Sequence, residues 1–347
     1  MDQQQYQDRL LAGVSRTFAL TIPQLPAPLR MAVGNAYLLC RIADTVEDVP
    51  HLDPQRKEYF HQLFVDAVAG TCPGERFAHE LLPELAGQAS PDEIEVIEHT
   101  PAILAITHGL SERQRGAMLR CIRIMSRGMA DFERNASRRG LRDLAEMQRY
   151  CYHVAGVVGE MLTELFCDYS PAIDRQHERM QGLAVAFGQG LQMTNILKDM
   201  WDDWERGISW LPAEMFERAG LDLETLQPGM CDPRFQQALE TLIAIAGEQL
   251  QCALDYTLLI PRQEAGIRRF CLWAIGLALL TLRNIQQRPD YASGVEVKVS
   301  RRHLKATILI TNSTLRSNLA LKLLFHRLSR GLVLPAHHAL PRTSVGS

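Results

Sequence analysis

An all-α fold is predicted by three features of the sequence. Apolar residues recur at the i, i+3, i+4 and i+7 spacing of amphipathic helices through most of the 347 residues. Alternating β-branched stretches are scarce, and we interpret the clearest one, "GVEVKVS" at 294–300, as a strand-like loop between helices. Proline and glycine interrupt the helical pattern often enough to predict about a dozen helices.

Helix boundaries follow from local signals, taken in chain order. The proline-rich stretch at 23–28 predicts that one helix ends near Thr21 and that another begins around Pro28. Ser90, followed by Pro91 and two acidic residues, predicts a capped helix start. Gly207 predicts the end of a long helix that carries many of the polar residues discussed below.

A single domain accounts for this pattern. The sequence contains no repeat of 20 to 50 residues and no long linker, so we predict one helical domain at 1–335 and a disordered tail at 336–347. With 46% hydrophobic residues the chain can bury a large core. Its formal net charge of −3 gives no electrostatic reason to bind nucleic acid. The sequence leaves the oligomeric state open.

Cysteine usage and hydropathy favour a cytoplasmic protein. The eight cysteines are scattered without a CxxC pair, as expected for free thiols in a reducing compartment. The apolar run at 270–282 is too short to span a bilayer, so we expect a buried core helix. The C-terminal stretch with Lys322, Arg327 and Arg330 is either a last helix with a frayed tail or a peripheral membrane contact.

Two predicted helices each carry a D-x-x-x-D pattern in apolar surroundings. Asp44 and Asp48 lie in "CRIADTVEDVP" with Glu47, and Asp199 and Asp203 lie in "TNILKDMWDDWERG". Residues at i and i+4 share a helix face, and like charges there cost ~0.2–0.5 kcal/mol per pair. Mg²⁺ would compensate this repulsion, because it prefers oxygen ligands and is commonly shared with phosphates. We therefore predict facing carboxylates that hold Mg²⁺ and a diphosphate at the mouth of an apolar cavity.

Four ordered motifs resemble the squalene/phytoene synthase family. They are "SRTFALTIPQLPAPLRMAVGNAYLLCRIADTVED" at 15–48, "GMADF" at 128–132, "YCYHVAGVVGEMLTELF" at 150–166 and "QMTNILKDMWDDWERGISWLP" at 192–212. The resemblance implies an isoprenoid-synthase-type helical bundle around a central apolar cavity. The form "DTVED" is more similar to the squalene-forming members. It implies head-to-head condensation of two farnesyl diphosphates through presqualene diphosphate, followed by reduction to squalene with NADPH.

The resemblance also implies roles for individual residues. Asp44, Glu47, Asp48, Asp199 and Asp203 would bind Mg²⁺. Tyr150 and Arg41 would join the four aspartates in catalysis, with the Tyr150 hydroxyl near the leaving diphosphate. Substrate contacts are expected from Ser15, Arg16, Phe18, Tyr37, Arg41, Val154, Val158, Gln192, Asn195, Lys198 and Phe270. NADPH contacts are expected from Arg16, Arg41, Lys298 and Arg301.

Three departures from the family pattern keep alternatives open. Lys198 and Ile208 stand where arginine is usual, and Ser300 replaces a basic residue near the predicted cofactor segment. A non-reductive member that makes dehydrosqualene, hydroxysqualene or phytoene is therefore the first alternative. A terpene cyclase or chain-elongating prenyltransferase, and a helical scaffold whose acidic clusters are merely solvated, are further alternatives.

Overall fold

The computed structural model describes residues 3–15, 17–49 and 52–332, and most of this part of the chain is helical. In chain order the first helices are α1 Gln3–Val14, α2 Phe18–Thr21, α3 Ala27–Glu47, α4 Pro54–Ala69, α5 Gly74–Leu81, α6 Pro91–Glu98, α7 Thr100–Gly109, α8 Glu112–Glu133 and α9 Leu144–Cys151. They are followed by α10 Val157–Tyr169, α11 Pro171–Asp174, α12 His177–Glu205, α13 Ala213–Glu217, α14 Pro233–Leu259, α15 Ala265–Gln287, α16 Arg301–Thr314 and α17 Asn318–Ser329. Within the described residues β-pairing is limited to two isolated bridges, so the all-α prediction is confirmed.

The predicted helix boundaries agree with the observed ones. α2 ends at Thr21, and α3 begins at Ala27. The Ser90 hydroxyl accepts a hydrogen bond from the Glu93 amide, and the Glu93 carboxylate accepts one from the Ser90 amide, which closes a capping box. α12 ends two residues before Gly207, whose φ of 89° is the left-handed conformation that glycine adopts readily.

Two expectations about secondary structure need correction. The helices are more numerous than a dozen because single turns such as α11 separate longer ones. The "GVEVKVS" stretch is a loop of turns between α15 and α16 and has no strand character. Side chains hold this loop in place of a partner strand: Asn284 Nδ2 donates to the Val297 carbonyl at 2.9 Å, and the buried Tyr291 hydroxyl donates to the Leu197 carbonyl.

The centre of the bundle is built from α3, α8, α10, α12, α14 and α15. Helices α10 and α12 approach each other closely because glycines lie at the contact. A Cβ atom at Gly159 would lie 2.2 Å from the Ala184 carbonyl oxygen, and one at Gly188 would lie 2.1 Å from the Ala155 carbonyl oxygen. A larger residue at Gly159 would force α10 and α12 apart, and one at Gly188 would force α12 away from the segment that precedes α10.

A π-helical segment, Tyr152–Gly156, connects α9 to α10. The two helices and this segment form one continuous rod, which packs against α8 and α12. Single π turns inside α-helices occur frequently at functional sites. This one carries Val154 and Ala155, which line the central cavity described below.

Helix α15 contains the apolar run that the sequence assigns to a core helix. It is long and apolar enough to cross a bilayer, but 72% of its most apolar window is buried inside the protein. The prediction of a core helix is therefore confirmed. The cysteines of the described residues are all free, and Cys40, Cys121, Cys151, Cys167 and Cys271 are buried. The predicted tail at 336–347 lies outside the described residues.

Candidate active site

A cavity of about 890 Å³ lies between the central helices. Its inner walls are apolar and include Phe18, Val154, Val158, Phe187 and Phe270. Its mouth is lined by the carboxylates of both D-x-x-x-D patterns, together with Glu133 and Asp202. The cavity thus combines an acidic entrance with an apolar interior, as the sequence predicts.

The two acidic clusters face each other across this mouth. Here the first cluster denotes Asp44, Glu47 and Asp48 on α3, and the second denotes Asp199, Asp202 and Asp203 on α12. Arg206 connects them, because its guanidinium pairs with Asp203 and lies 3.7 Å from Asp48 Oδ1. Since both clusters line one cavity, two helices far apart in sequence contribute to one site.

The first cluster carries negative charge that the protein compensates only in part. Burial raises the pKa of Asp44 to about 7, against the opposing effect of Arg41, and repulsion from Asp48 adds to the shift. Burial also raises the pKa of Glu47 well above its usual range, with further repulsion from Asp44 and Asp48. The Asp44 side chain still keeps 35% of its surface accessible, which lies within the cavity. A cation entering the cavity can therefore reach it.

Arg41 is held at the mouth by three carboxylates. It pairs with the Glu93 carboxylate from α6, and its guanidinium nitrogens lie 3.8 Å from Asp44 Oδ2 and 3.9 Å from Asp48 Oδ2. The Glu93 capping box fixes the Glu93 carboxylate, which in turn fixes Arg41. The guanidinium is thus placed beside any anion that enters between the clusters.

A buried lysine supports the first cluster from behind. Lys57 on α4 is 4% exposed, and its Nζ donates to the Glu47 carbonyl at 2.6 Å and pairs with the Glu133 carboxylate. Burial raises the pKa of Glu133, whereas Lys57 opposes that shift. Sequence reasoning missed Lys57 and Glu133, because they lie 76 residues apart and no local pattern links them.

The second cluster makes closer ion pairs than the first. Lys198 Nζ lies 3.0 Å from Asp199 Oδ2, and Arg206 pairs with the buried Asp203. Burial raises the pKa of Asp203, and the hydrogen bond from Arg206 opposes that shift. The loop between α15 and α16 rests directly on this cluster: a Cβ atom at Gly294 would lie 2.5 Å from Asp199 Oδ1. Glycine therefore fits position 294 better than any residue with a Cβ atom.

Tyr150 lies at the junction between the acidic mouth and the apolar walls. Its ring stacks on Trp210 with centroids 4.1 Å apart and planes 7° apart. Burial raises the pKa of Tyr150 well above its usual range, and the charge of Glu47 adds to the effect. The hydroxyl therefore stays protonated at neutral pH and is available as a donor.

Most residues singled out from the sequence lie together. The cavity is lined by Phe18, Tyr37, Arg41, Asp44, Glu47, Asp48, Tyr150, Val154, Val158, Gln192, Asn195, Asp199, Asp203 and Phe270. Three others belong to the rim or the outer surface. Lys198 pairs with Asp199 at the rim, whereas Lys298 and Arg301 are exposed beyond it.

Ser15 and Arg16 are the two remaining residues that are expected to contact substrate. Ser15 is not among the cavity-lining residues, and its hydroxyl accepts a hydrogen bond from the Phe18 amide at 3.0 Å. It stabilises the turn that presents Phe18 to the cavity, because a serine oxygen readily satisfies a free amide at a helix start. Arg16 lies outside the described residues.

Mg²⁺ suits the donor atoms at the mouth. The first cluster offers carboxylate oxygens that line the cavity, and burial together with mutual repulsion raises the pKa values of Asp44 and Glu47. In the described ranges no three Asp, Glu, His or Cys side chains converge closely enough to hold a metal by themselves. An ion here would therefore share its coordination with water and phosphate oxygens, as Mg²⁺ commonly does.

The fold and the site together define an all-helical isoprenoid-synthase-type protein with paired acidic helices at the mouth of an apolar cavity. The family model described as squalene/phytoene synthase matches residues 11–303. The chain belongs to the squalene/phytoene synthase family, which is a family of prenyltransferases.

Relatives and solved structures agree with this assignment. The squalene synthase of Gibberella zeae is 30% identical over 287 residues, which cover 81% of this chain and 58% of the relative. The chain thus spans less than two thirds of the length of that relative. The complex of TcSQS with the ligand E5700 superposes with a TM-score of 0.69 at 20% identity, covering 95% of this chain and 96% of the other.

A second type of solved structure is also similar. A dehydrosqualene synthase in complex with a ligand superposes with a TM-score of 0.62 at 21% identity, covering 91% of this chain and 97% of that chain. At these identities the likeness concerns the fold alone. The comparisons therefore support the family and leave the product to be argued from the site.

Proposed function

We propose that this chain is a Mg²⁺-dependent enzyme that condenses two molecules of farnesyl diphosphate head to head. Presqualene diphosphate is the proposed intermediate, and reduction with NADPH yields squalene. The observation that carries the proposal is the arrangement of two acidic clusters, linked through Arg206, at the mouth of one apolar cavity. This arrangement suits a substrate that has a diphosphate at one end and a hydrocarbon at the other.

The polar end of the cavity would bind and orient the diphosphates. Asp44, Glu47, Asp48, Asp199 and Asp203 are the residues that would hold Mg²⁺, and the bound ion would make the diphosphate a better leaving group. Arg41 lies among the carboxylates of the first cluster, where its guanidinium can pair with a phosphate oxygen. Tyr150 keeps its proton and can donate it to a departing diphosphate oxygen.

The apolar end would protect a carbocation from water. Departure of diphosphate from an allylic carbon leaves a cation that water would capture. Phe18, Val154, Val158 and Phe270 offer it hydrocarbon and aromatic surfaces instead of hydroxyl groups. The aromatic faces also attract positive charge, by about 0.5–2 kcal/mol for each well-placed ring.

A non-reductive product is the second candidate, and the cavity lining favours it at one point. Ile208 lines the cavity at a position where the family resemblance leads us to expect arginine. Lys298 and Arg301, two of the four residues expected to bind NADPH, are exposed outside the cavity lining. With fewer cations facing the cavity, NADPH would bind less tightly, and the reaction would stop before reduction.

The test is product analysis with the full-length protein. Farnesyl diphosphate and Mg²⁺ are supplied with and without NADPH, and hexane extracts are analysed by mass spectrometry. Squalene that forms only with NADPH is the expected result. The same C30 product in both reactions would support the non-reductive candidate.

A binding measurement separates a failed reaction from a failed site. Mg²⁺ with a non-hydrolysable farnesyl diphosphate analogue should raise the melting temperature, because ligands that bind only the folded state stabilise it. Asp199→Asn should abolish this shift, whereas the exposed Asp131→Asn should not. Absence of both product and thermal shift in the unmodified protein would contradict the proposed function.

A further inference from the structure

The Tyr150 ring lies between two other aromatic side chains. Trp210 covers one face of the ring, with centroids 4.1 Å apart and planes 7° apart. Phe132 on α8 meets the ring at 71°, with centroids 5.4 Å apart. Aromatic contacts stabilise a pair beyond the burial of its surface. Because Tyr150 is only 5% exposed, the two neighbours together fix the plane of its ring.

The ring plane matters because the hydroxyl has no other constraint. Among the described residues, no side-chain or backbone group forms a hydrogen bond with the Tyr150 hydroxyl. The second side-chain torsion of tyrosine has broad minima, so the neighbours of the ring set it. A phenol O–H bond prefers to lie in the ring plane, since an oxygen lone pair conjugates with the ring. The plane that Trp210 fixes therefore also fixes the directions in which Tyr150 can donate its proton.

Backbone hydrogen bonds on both sides of Trp210 hold it in place. Trp210 lies in the connection that follows α12, between Ser209 and Leu211. The Ser209 amide donates to the Ser137 carbonyl at 3.0 Å, and the Leu141 amide donates to the Leu211 carbonyl at 2.9 Å. The connection is thus tied to the segment between α8 and α9. An indole anchored through both of its chain neighbours can hold a second ring, because it cannot move away with it.

We infer that Trp210 is a positioning residue for proton transfer by Tyr150. The inference rests on the proposed function and adds the residue that makes its proton donor effective. In the condensation, the bond between the allylic carbon and a diphosphate oxygen breaks, and both of its electrons stay on the oxygen. That oxygen takes the Tyr150 proton, and the carbon that closes the cyclopropane ring of the intermediate later returns a proton to Tyr150. Trp210 forms no bond in this sequence; it holds the hydroxyl toward the departing oxygen.

Two other roles for Trp210 fit the contacts less well. Direct stabilisation of a carbocation needs a free aromatic face, and Tyr150 already covers one of the two faces of the indole. A purely structural role is expected of a side chain that lies away from the cavity, whereas Trp210 lines it. Holding the neighbouring ring is the role that accounts for both the stack and the location.

Fluorine NMR tests the stack without any turnover. The chain contains eight tyrosines, and in protein labelled with fluorotyrosine the Tyr150 signal is the one that Tyr150→Phe removes. This signal should move in Trp210→Leu, because an aromatic face shifts the resonance of nuclei stacked on it. In Trp210→Phe it should stay closer to its original position. A Tyr150 signal that Trp210→Leu leaves unmoved would show that the rings do not stack in solution and would overturn the inference.

A double-mutant cycle tests the role in catalysis. The full-length protein is supplied with farnesyl diphosphate and Mg²⁺, and the initial rate of diphosphate release is measured. Tyr150→Phe should lower kcat by about 100-fold, in the range that general acids contribute. Trp210→Leu should lower it by about tenfold to 100-fold through misplacement of the hydroxyl, whereas Trp210→Phe should lose less than about threefold.

The double variant decides whether the two residues act as a unit. Tyr150→Phe with Trp210→Leu should be no slower than Tyr150→Phe alone, because no proton is left to position. Losses that multiply in the double variant would show that Trp210 acts without Tyr150, which contradicts the inference. A Trp210→Phe variant as slow as Trp210→Leu would contradict it as well, since a second aromatic ring should preserve the stack.

Trp204→Leu is the matched control for the loss of an indole. Trp204 lies near the end of α12, with the Arg138 guanidinium 4.0 Å from its ring centroid, and its indole N–H donates to the Leu223 carbonyl at 3.2 Å. It is not among the cavity-lining residues. This variant should lower the melting temperature but keep kcat and the Tyr150 fluorine signal. Equal losses of kcat in Trp204→Leu and Trp210→Leu would assign the effect to general destabilisation and overturn the inference.

The same measurements separate this inference from the proposed function. If the unmodified protein releases no diphosphate, the proposed function fails and this inference fails with it. Diphosphate release by the unmodified protein, combined with losses that multiply in the double variant, refutes the inference alone.

Discussion

The first and second acidic clusters share one sequence pattern but lie in different surroundings. In the first, burial raises the pKa of Asp44, Glu47 and Asp48 alike. In the second, burial raises the pKa of Asp203, and Lys198 and Arg206 form ion pairs with Asp199 and Asp203. An identical spacing of carboxylates thus produces one cluster whose guanidinium partners lie 3.7–3.9 Å from its aspartates and another with closer ion pairs, Lys198 with Asp199 at 3.0 Å and Arg206 with Asp203. We therefore expect added Mg²⁺ to stabilise the first cluster more.

The largest effect is expected from Asp44→Asn. Turnover should fall by about 1,000-fold, because loss of a metal ligand removes several kcal/mol of transition-state stabilisation. The free protein should instead become more stable, by about 1–2 kcal/mol after allowance for solvent in the cavity, because a buried like charge is removed. Steady-state kinetics and thermal unfolding without Mg²⁺ measure the two effects. A lower melting temperature would contradict the statement that the protein compensates the charge of the first cluster only in part.

The second effect concerns His61, which lies on α4 one turn from Lys57 behind the first cluster. His61 is 2% exposed, and neither ring nitrogen has a hydrogen-bond partner among the described residues. Burial lowers the pKa of His61 to about 4, and the nearby Lys57 adds to the shift. The unfolded chain, with a histidine pKa near 6.5, therefore binds more protons between about pH 7 and pH 4. Stability should fall over this range by about 3 kcal/mol from this residue alone.

His61→Leu provides the matched comparison. The difference in unfolding free energy between the unmodified protein and this variant should change with pH in that window and level off below about pH 4. Other titrating groups cancel in the difference, because both proteins contain them. Denaturant unfolding at several pH values measures it. A difference that stays constant between pH 7 and pH 4 would show that His61 titrates normally.

The third effect concerns the loop between α15 and α16, which covers the second cluster. Gly294→Ala should reduce kcat/KM by about tenfold to 100-fold, because the new methyl group displaces the Asp199 carboxylate and misplaces bound diphosphate. Gly182→Ala is the control, since a Cβ atom there has no neighbour within 4 Å. It should leave kinetics unchanged and stabilise α12 by about 1 kcal/mol. Equal kinetics in the two variants would refute contact between the loop and the cluster.

The smallest effect is expected from Arg206→Gln, which removes the link between the clusters. The Arg206 side chain is 62% exposed, so unfolding free energy should change by less than about 1 kcal/mol. The concentration of Mg²⁺ needed for half-maximal activity should fall by about two- to fivefold, because the mouth becomes more negative. Arg218→Gln, which breaks only an exposed pair with Glu214, is the control. An increase in the Mg²⁺ requirement would make Arg206 part of the substrate site instead.

The sequence predicts those features that depend on short-range periodicity. The capping box at Ser90 and the shared face of Asp44 and Asp48 need only neighbours within one helical turn, and both are predicted correctly. That the two clusters meet across one mouth is predicted from the need of a shared Mg²⁺ to offset their like charges, since spacing within each helix carries no information about the distance between helices. The catalytic, metal-binding and cofactor-binding roles of these residues stay predictions.

Long-range contacts account for what the sequence did not predict. Lys57 and Glu133 have no sequence signal, because each is an ordinary charged residue until α4 and α8 pack together. The alternating "GVEVKVS" stretch suggested strand character, but alternation forms a strand only where a partner edge is present. The π turn at Tyr152–Gly156 was also unpredicted, because its extra residue is accommodated by packing against α8 and α12.

That π turn has a geometric consequence for the site. Each residue of an α-helix rotates the chain by about 100°, so an uninterrupted helix would leave Tyr150 and Val158 roughly 80° apart around the axis. A single π turn absorbs about one additional residue and cancels most of this angle. The Tyr150 side chain and the Val158 side chain therefore lie on the same side of the rod. Deleting one residue of the segment would remove the π turn and leave Tyr150 and Val158 seven positions apart in a regular α-helix, still within about 20° of each other around the axis.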